Sequence, residues 1–195
     1  MNALATRLRR PVLTTKAKRA ATAIPASAPR SASPPPPGAR QPSAPPVQLS
    51  LSNRQRKHRL PPLRKLLRQL ELAAEIIGAE AVANSKLKPL PAQIEIHYIG
   101  NAAMCQVHAQ FLDDPTPTDV ITFPYGEILV CPEVAAQQCA DFGRQFDEEV
   151  LLYTIHGLLH LAGYDDVKPA LAKAMHRRQD VVLAQVLEHE PFARP

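Results

Sequence analysis

From Val47 onward, apolar residues recur along this chain in two rhythms, and each rhythm predicts a kind of element. VQLSLSN alternates apolar and polar positions, which predicts an edge or half-buried strand starting near Val47. After a basic stretch and the break at Pro61-Pro62, LRKLLRQLELAAEIIGAEAVA carries Leu63, Leu66, Leu67, Leu70 and Ala74 at helical spacing. QIEIHYIG alternates again, with Ile94, Ile96 and Tyr98 on one face. NAAMCQVHAQFL then reads as a helix that Asn101 is placed to cap. DDPTPTDVITFP turns into a short strand from Val120 to Phe123. In GEILVC the apolar run is continuous, which predicts a strand covered on both faces.

CPEVAAQQCADFG has Pro132 in the first turn and Gly143 just past the end, the expected asymmetry of a helix. A further helix is expected from Asp147 to Ala162, with Asp147, Glu148 and Glu149 at its positive end and Gly163 stopping it. The last is expected from Pro169 to Leu187. The order β-α-β-α-β-β-α-α-α predicts a single α/β (α+β) domain, a small mixed sheet with helices packed against it.

Composition divides the chain at a different place. Residues 1–45 are dominated by Ala, Pro, Ser, Thr and Arg and show no apolar periodicity, which predicts a disordered basic tail ahead of a folded body over 46–195. Residues 1–70 hold 15 Lys and Arg and no acidic residue, leaving 8 basic against 18 acidic in the remaining 125, a net charge of −10. The acid-free, Arg-rich tail suits non-specific RNA contact, a solvated linker, or an organellar transit peptide. The expected location is accordingly cytoplasmic, or organellar if the tail is a transit peptide. No apolar run approaches the ~20 residues that span a bilayer, so no membrane partner is expected. Cys105, Cys131 and Cys139 contain no Cys-x-x-Cys pair, which argues against a disulfide framework and a thiolate zinc site and fits buried thiols in a reducing compartment.

The chemistry concentrates in His156–Asp166, HGLLHLAGYDD. Residues four apart share one helix face, so His156 and His160 can present two imidazoles to one cation. Gly163 allows a sharp exit, and the returning chain brings residue 166 to where a third ligand belongs. A carboxylate there completes a His, His, Asp set for zinc, with a further position open to water as in catalytic sites. Gly157 stands where the H-E-x-x-H metalloproteases carry their glutamate base, which argues against peptide hydrolysis.

HGLLHLAGYD closely resembles the H-G-x-L-H-L-x-G-Y-D-H signature of the YbeY family, single-strand-specific, metal-dependent endoribonucleases of rRNA maturation. PTDVITFP and GEILVC are similar to two further family segments, in the same order, so the resemblance runs from Val47 to Leu187. It implies an α/β fold, one zinc or other divalent ion on His156, His160 and Asp166, and single-stranded RNA, rRNA and the ribosomal subunit as partners. Tyr164 and Asp165 are candidates to orient a ligand from outside the metal shell.

Two positions depart from the family pattern. Asp166 replaces a third histidine, which makes the site about one charge less positive and widens the choice of metal. Leu112 stands where family members commonly carry an arginine before the P-T-D-V segment. That loss keeps open a second reading, a non-catalytic ribosome-associated factor with a structural metal. No general base is assigned beyond a metal-bound water. His108 is a weak candidate, more simply read as a satisfied histidine, while His176 and His189 are expected to face solvent. Thr118 and Asp119 are expected to shape a turn near the site.

Overall fold

A computed structural model describes residues 47–192, and the basic tail predicted over 1–45 lies outside them. The nine elements follow the predicted order: β1 (Gln48–Asn53), α1 (Leu63–Ala83), β2 (Gln93–Tyr98), α2 (Asn101–Leu112), β3 (Val120–Phe123), β4 (Glu127–Val130), α3 (Pro132–Phe142), α4 (Phe146–Leu161) and α5 (Pro169–His189). They build the expected mixed α/β domain. The sheet order is β1-β2-β4-β3, with β1, β2 and β4 parallel and β3 antiparallel to β4. The alternating β1 is an edge strand, and the apolar β4 is central, buried from Ile128 to Val130.

Helix α4 is apolar on nearly every side, and twelve of its 16 residues are buried. A helix of that kind belongs in the middle of a fold. It lies against β3 and β4, with α1, α3 and α5 around it. Its core partners include Leu66, Leu70 and Ile77 of α1 and Met175, Val182 and Val186 of α5. Helix α2 covers the opposite face through Met104, packed with Ile121, Phe123, Leu129 and Cys131. No described helix is long and apolar enough to cross a membrane.

Two local expectations change. Gly100, not Asn101, occupies the cap of α2. The Asn101 side chain instead accepts the Cys131 thiol at 3.0 Å, and its backbone N–H donates to Glu133 Oε1 of α3 at 3.0 Å. The carboxylate of a neighbouring helix thus satisfies one of the amides that the first turn of a helix leaves without an intrahelical partner. Among the thiols, Cys131 is buried but Cys105 and Cys139 are only half-buried.

Candidate metal centre

Helix α4 ends at Leu161, and Gly163, at φ +94°, turns the chain back along it. That left-handed turn costs glycine little and a side chain more. Its result is local: Nε2 of His156 lies 3.7 Å from Asp166 Oδ2, and Nε2 of His160 lies 3.8 Å from Asp166 Oδ1. The two imidazole rings meet edge to face at 4.7 Å between centroids. One ligand atom from each residue falls within 4.8 Å of the others, so the three residues could hold a metal ion.

The far nitrogens are already engaged. His156 Nδ1 donates to Gln179 Oε1 of α5 at 2.5 Å, and His160 Nδ1 donates to the Tyr164 carbonyl at 3.2 Å. Each contact puts the ring proton on Nδ1 and turns the Nε2 lone pair toward Asp166, the arrangement that metal-bound histidines commonly need. His160 Nε2 is buried and has no hydrogen-bond partner, a costly state unless something coordinates it. The donor set therefore fits a divalent cation.

Electrostatics agree. Burial and the neighbouring His156 lower the His160 pKa to about 4, so the ring is neutral at physiological pH. Burial works to raise Asp166, but the two imidazoles beside it, His156 first, outweigh that and hold the carboxyl below its ordinary value. A neutral His160 and an ionised Asp166 are the states in which those two side chains bind a cation.

The supporting residues come from distant elements. Tyr164 contributes its carbonyl to His160, while its hydroxyl donates to Glu80 Oε1 of α1 at 2.5 Å. Glu80 Oε2 in turn faces Arg178 Nε of α5 at 2.6 Å. Asp165 accepts the Val167 amide at 3.0 Å and shapes the loop, its charge near His160. Thr118 and Asp119 are buried at the start of β3, where Asp119 Oδ1 accepts the Val120 amide at 2.8 Å and the Thr118 hydroxyl at 3.1 Å. Burial raises Asp119 to about 6, against the opposing pull of His156.

Sequence reasoning left Gln179, Glu80 and Arg178 unnamed. Gln179 carried one signal, a polar residue at an apolar position of α5, since it is buried in line with Met175, Val182 and Val186. His108 is buried, with Nδ1 2.6 Å from the Thr116 carbonyl, and holds the turn before β3 as a satisfied histidine. His176 does not simply face solvent: it is half-buried, its ring centroid 6.0 Å from that of His156. His189 is exposed as expected, and Leu112 is half-buried at the end of α2.

Gly157 explains how α4 comes so close to the sheet. A Cβ there would stand 2.7 Å from Ile128 Cγ2 and 3.2 Å from Thr122 Oγ1. The position that lacks a metalloprotease glutamate is one where the sheet leaves no room for a side chain.

Comparison with known proteins covers the stretch of chain that holds these residues. The family described as Endoribonuclease YbeY matches residues 50–187. An Endoribonuclease YbeY of Mycobacterium tuberculosis is 34% identical over an alignment covering 57% of this chain and 75% of that protein. One of Clavibacter michiganensis is 38% identical, covering 47% of this chain and 71% of its own length. A solution structure of a Thermotoga maritima protein superposes with a TM-score of 0.51 at 28% identity, covering 73% of this chain and 91% of that one.

Proposed function

Because the chain belongs to the YbeY family of endoribonucleases, we propose that it is a zinc-dependent enzyme cutting single-stranded RNA during maturation of ribosomal RNA, with His156, His160 and Asp166 as the metal ligands. The observation that carries this reading is the convergence of two Nδ1-anchored imidazoles and one carboxylate on a single point. When bound, a divalent ion supplies Lewis acidity toward a phosphoryl oxygen and acidifies a water. The chain's own residues supply the rest. Gln179 and the Tyr164 carbonyl hold the two rings in one tautomer. Asp166 supplies the negative charge that a third imidazole would not, leaving the site near +1 with a divalent ion. That charge favours cation retention over the strongest Lewis acidity, and it admits iron or manganese alongside zinc.

The ribosomal subunit is the proposed setting and the cytoplasm the proposed location, or an organelle if the tail directs import. The family membership and the coordination position that three protein ligands leave for water favour catalysis over a non-catalytic, ribosome-associated role. Metal content and RNA cleavage measured together on the same preparations test the proposal. The wild type should bind one zinc per chain and cleave a single-stranded RNA, and His156→Ala and Asp166→Ala should each lose both. Equal cleavage by wild type and His156→Ala would overturn the nuclease reading. Tight metal binding by Asp166→Ala would show that the third ligand lies elsewhere.

A further inference from the structure

The folded domain is electrically lopsided. Residues 47–70 carry seven basic residues and no acidic one, while residues 71–192 carry seven basic and 18 acidic. The basic residues fall on the β1–α1 connection and the first turns of α1. Three of them are engaged at home: Lys57 with Glu133 at 2.7 Å, Arg68 with Glu190 at 3.4 Å, and Lys65 with the Pro191 carbonyl. Lys65 also lies near Asp147. The other four, Arg54, Arg56, Arg59 and Arg64, are exposed and form no ion pair with a described residue.

The loop that presents them is a built one. Gln55 is buried between the exposed Arg54 and Arg56, and its amide oxygen accepts the Lys57 and His58 amides at 2.8 and 2.9 Å. Its amide nitrogen donates to the His58 carbonyl at 2.8 Å, which closes the knot. The Arg54 amide extends the β1–β2 ladder to the Tyr98 carbonyl at 2.8 Å, and Lys57 ties the loop to α3. A charged surface held in shape before binding loses less entropy when it binds.

We propose that the exposed face of residues 54–64 is a docking surface for the phosphodiester backbone of single-stranded RNA, set apart from the metal centre. The proposal rests on the endoribonuclease reading, which makes RNA the polyanion this chain must hold. Arginine suits the task because its planar fork pairs with phosphate oxygens two at a time. The exposed side chains over 54–59 are all polar, so the loop offers no apolar wedge to a lipid surface. The location sets a reach. The His58 ring packs on Phe146, at the start of α4, with centroids 5.6 Å apart, and His156 lies ten residues further along that helix, about 15 Å away. A separation of that order is one that a few nucleotides can span, so phosphate affinity has a source in this chain besides position 112.

The test measures binding of an unstructured RNA oligonucleotide by the full chain across a salt series. It compares His156→Ala with the same protein also carrying Arg54→Ala, Arg56→Ala, Arg59→Ala and Arg64→Ala. Losing four phosphate contacts should flatten the slope of log K against log salt by about 3, and weaken binding roughly 100-fold near 0.15 M salt. A control with Lys86→Ala and Lys173→Ala, both exposed elsewhere, should leave the slope unchanged. An unchanged slope and affinity in the arginine variant would overturn the docking surface. So would loss of binding to phosphatidylserine vesicles with RNA binding intact. Cleavage by the wild type, run in parallel, keeps a failed docking surface distinct from a failed nuclease assignment.

Discussion

Gly157→Ala sets two effects of known sign against each other. In an exposed helix the change would stabilise, because alanine is favoured over glycine by about 1 kcal/mol. Here the new methyl would stand 2.7 Å from Ile128 Cγ2 and 3.2 Å from Ile128 Cδ1, both part of a side chain with no solvent exposure. Ordinary carbon contacts sit near 3.5–4.0 Å, so α4 or β4 must yield by roughly 1 Å. Overpacking of that kind costs about 1–3 kcal/mol, which outweighs the gain in propensity. The expected net loss is about 1 kcal/mol, a fall in Tm of roughly 2–4 °C for a domain of this size. Because His156 and His160 ride on the same helix, zinc affinity should fall as well. Thermal denaturation of the metal-free protein and zinc titration read the two effects separately. Ile128→Ala removes two of the three crowded atoms, including the nearest, so the double variant should be more stable than the sum of the single losses predicts. A Gly157→Ala protein that melts higher than wild type and binds zinc unchanged would refute the close-approach argument.

Two further outcomes follow from the residues around the site. Glu80→Gln removes a partly exposed ion pair with Arg178, so stability should move by less than about 1 kcal/mol. The Tyr164 hydroxyl would keep only a neutral amide oxygen in place of the carboxylate, a weaker anchor for the loop carrying the Tyr164 carbonyl, and zinc affinity by calorimetry should drop by up to about tenfold; unchanged affinity would exclude a role for the Glu80 charge in holding that loop. In metal-free protein, burial holds His160 down at about 4 from 6.5 and lifts Asp119 from 3.8 to about 6. Between these limits the unfolded chain carries a proton on the histidine that the fold lacks, so stability rises with pH. The fold keeps a proton on Asp119 that the unfolded chain lacks, so stability falls with pH over nearly the same window. The two slopes oppose, so urea midpoints of the wild type should rise less with pH between 4 and 6 than those of Asp119→Asn, which lacks the falling one. The difference in slope should be at most about 1.4 kcal/mol per pH unit. A pH dependence unchanged in Asp119→Asn would sink this account.

Local sequence determined a great deal of this protein. Apolar periodicity and the proline and glycine breaks marked every element, and for α1 and α2 they marked the ends as well. The three residues brought together at the candidate metal centre were equally legible, because a helical turn and one left-handed glycine separate them and such geometry depends on little beyond the segment itself. Tertiary structure alone decided what surrounds them. Gln179 arrives from α5, Glu80 from α1 and Asp119 from the turn ahead of β3, each placed by the packing of an apolar α4 against its neighbours. The same packing overruled a local expectation at Asn101, whose side chain takes the Cys131 thiol while its backbone N–H reaches a carboxylate of α3. Spacing along the chain can place ligands that share one helix and its exit. Residues that orient those ligands from other elements are brought in by burial of apolar faces, and that depends on the whole sheet order β1-β2-β4-β3, which no single segment encodes.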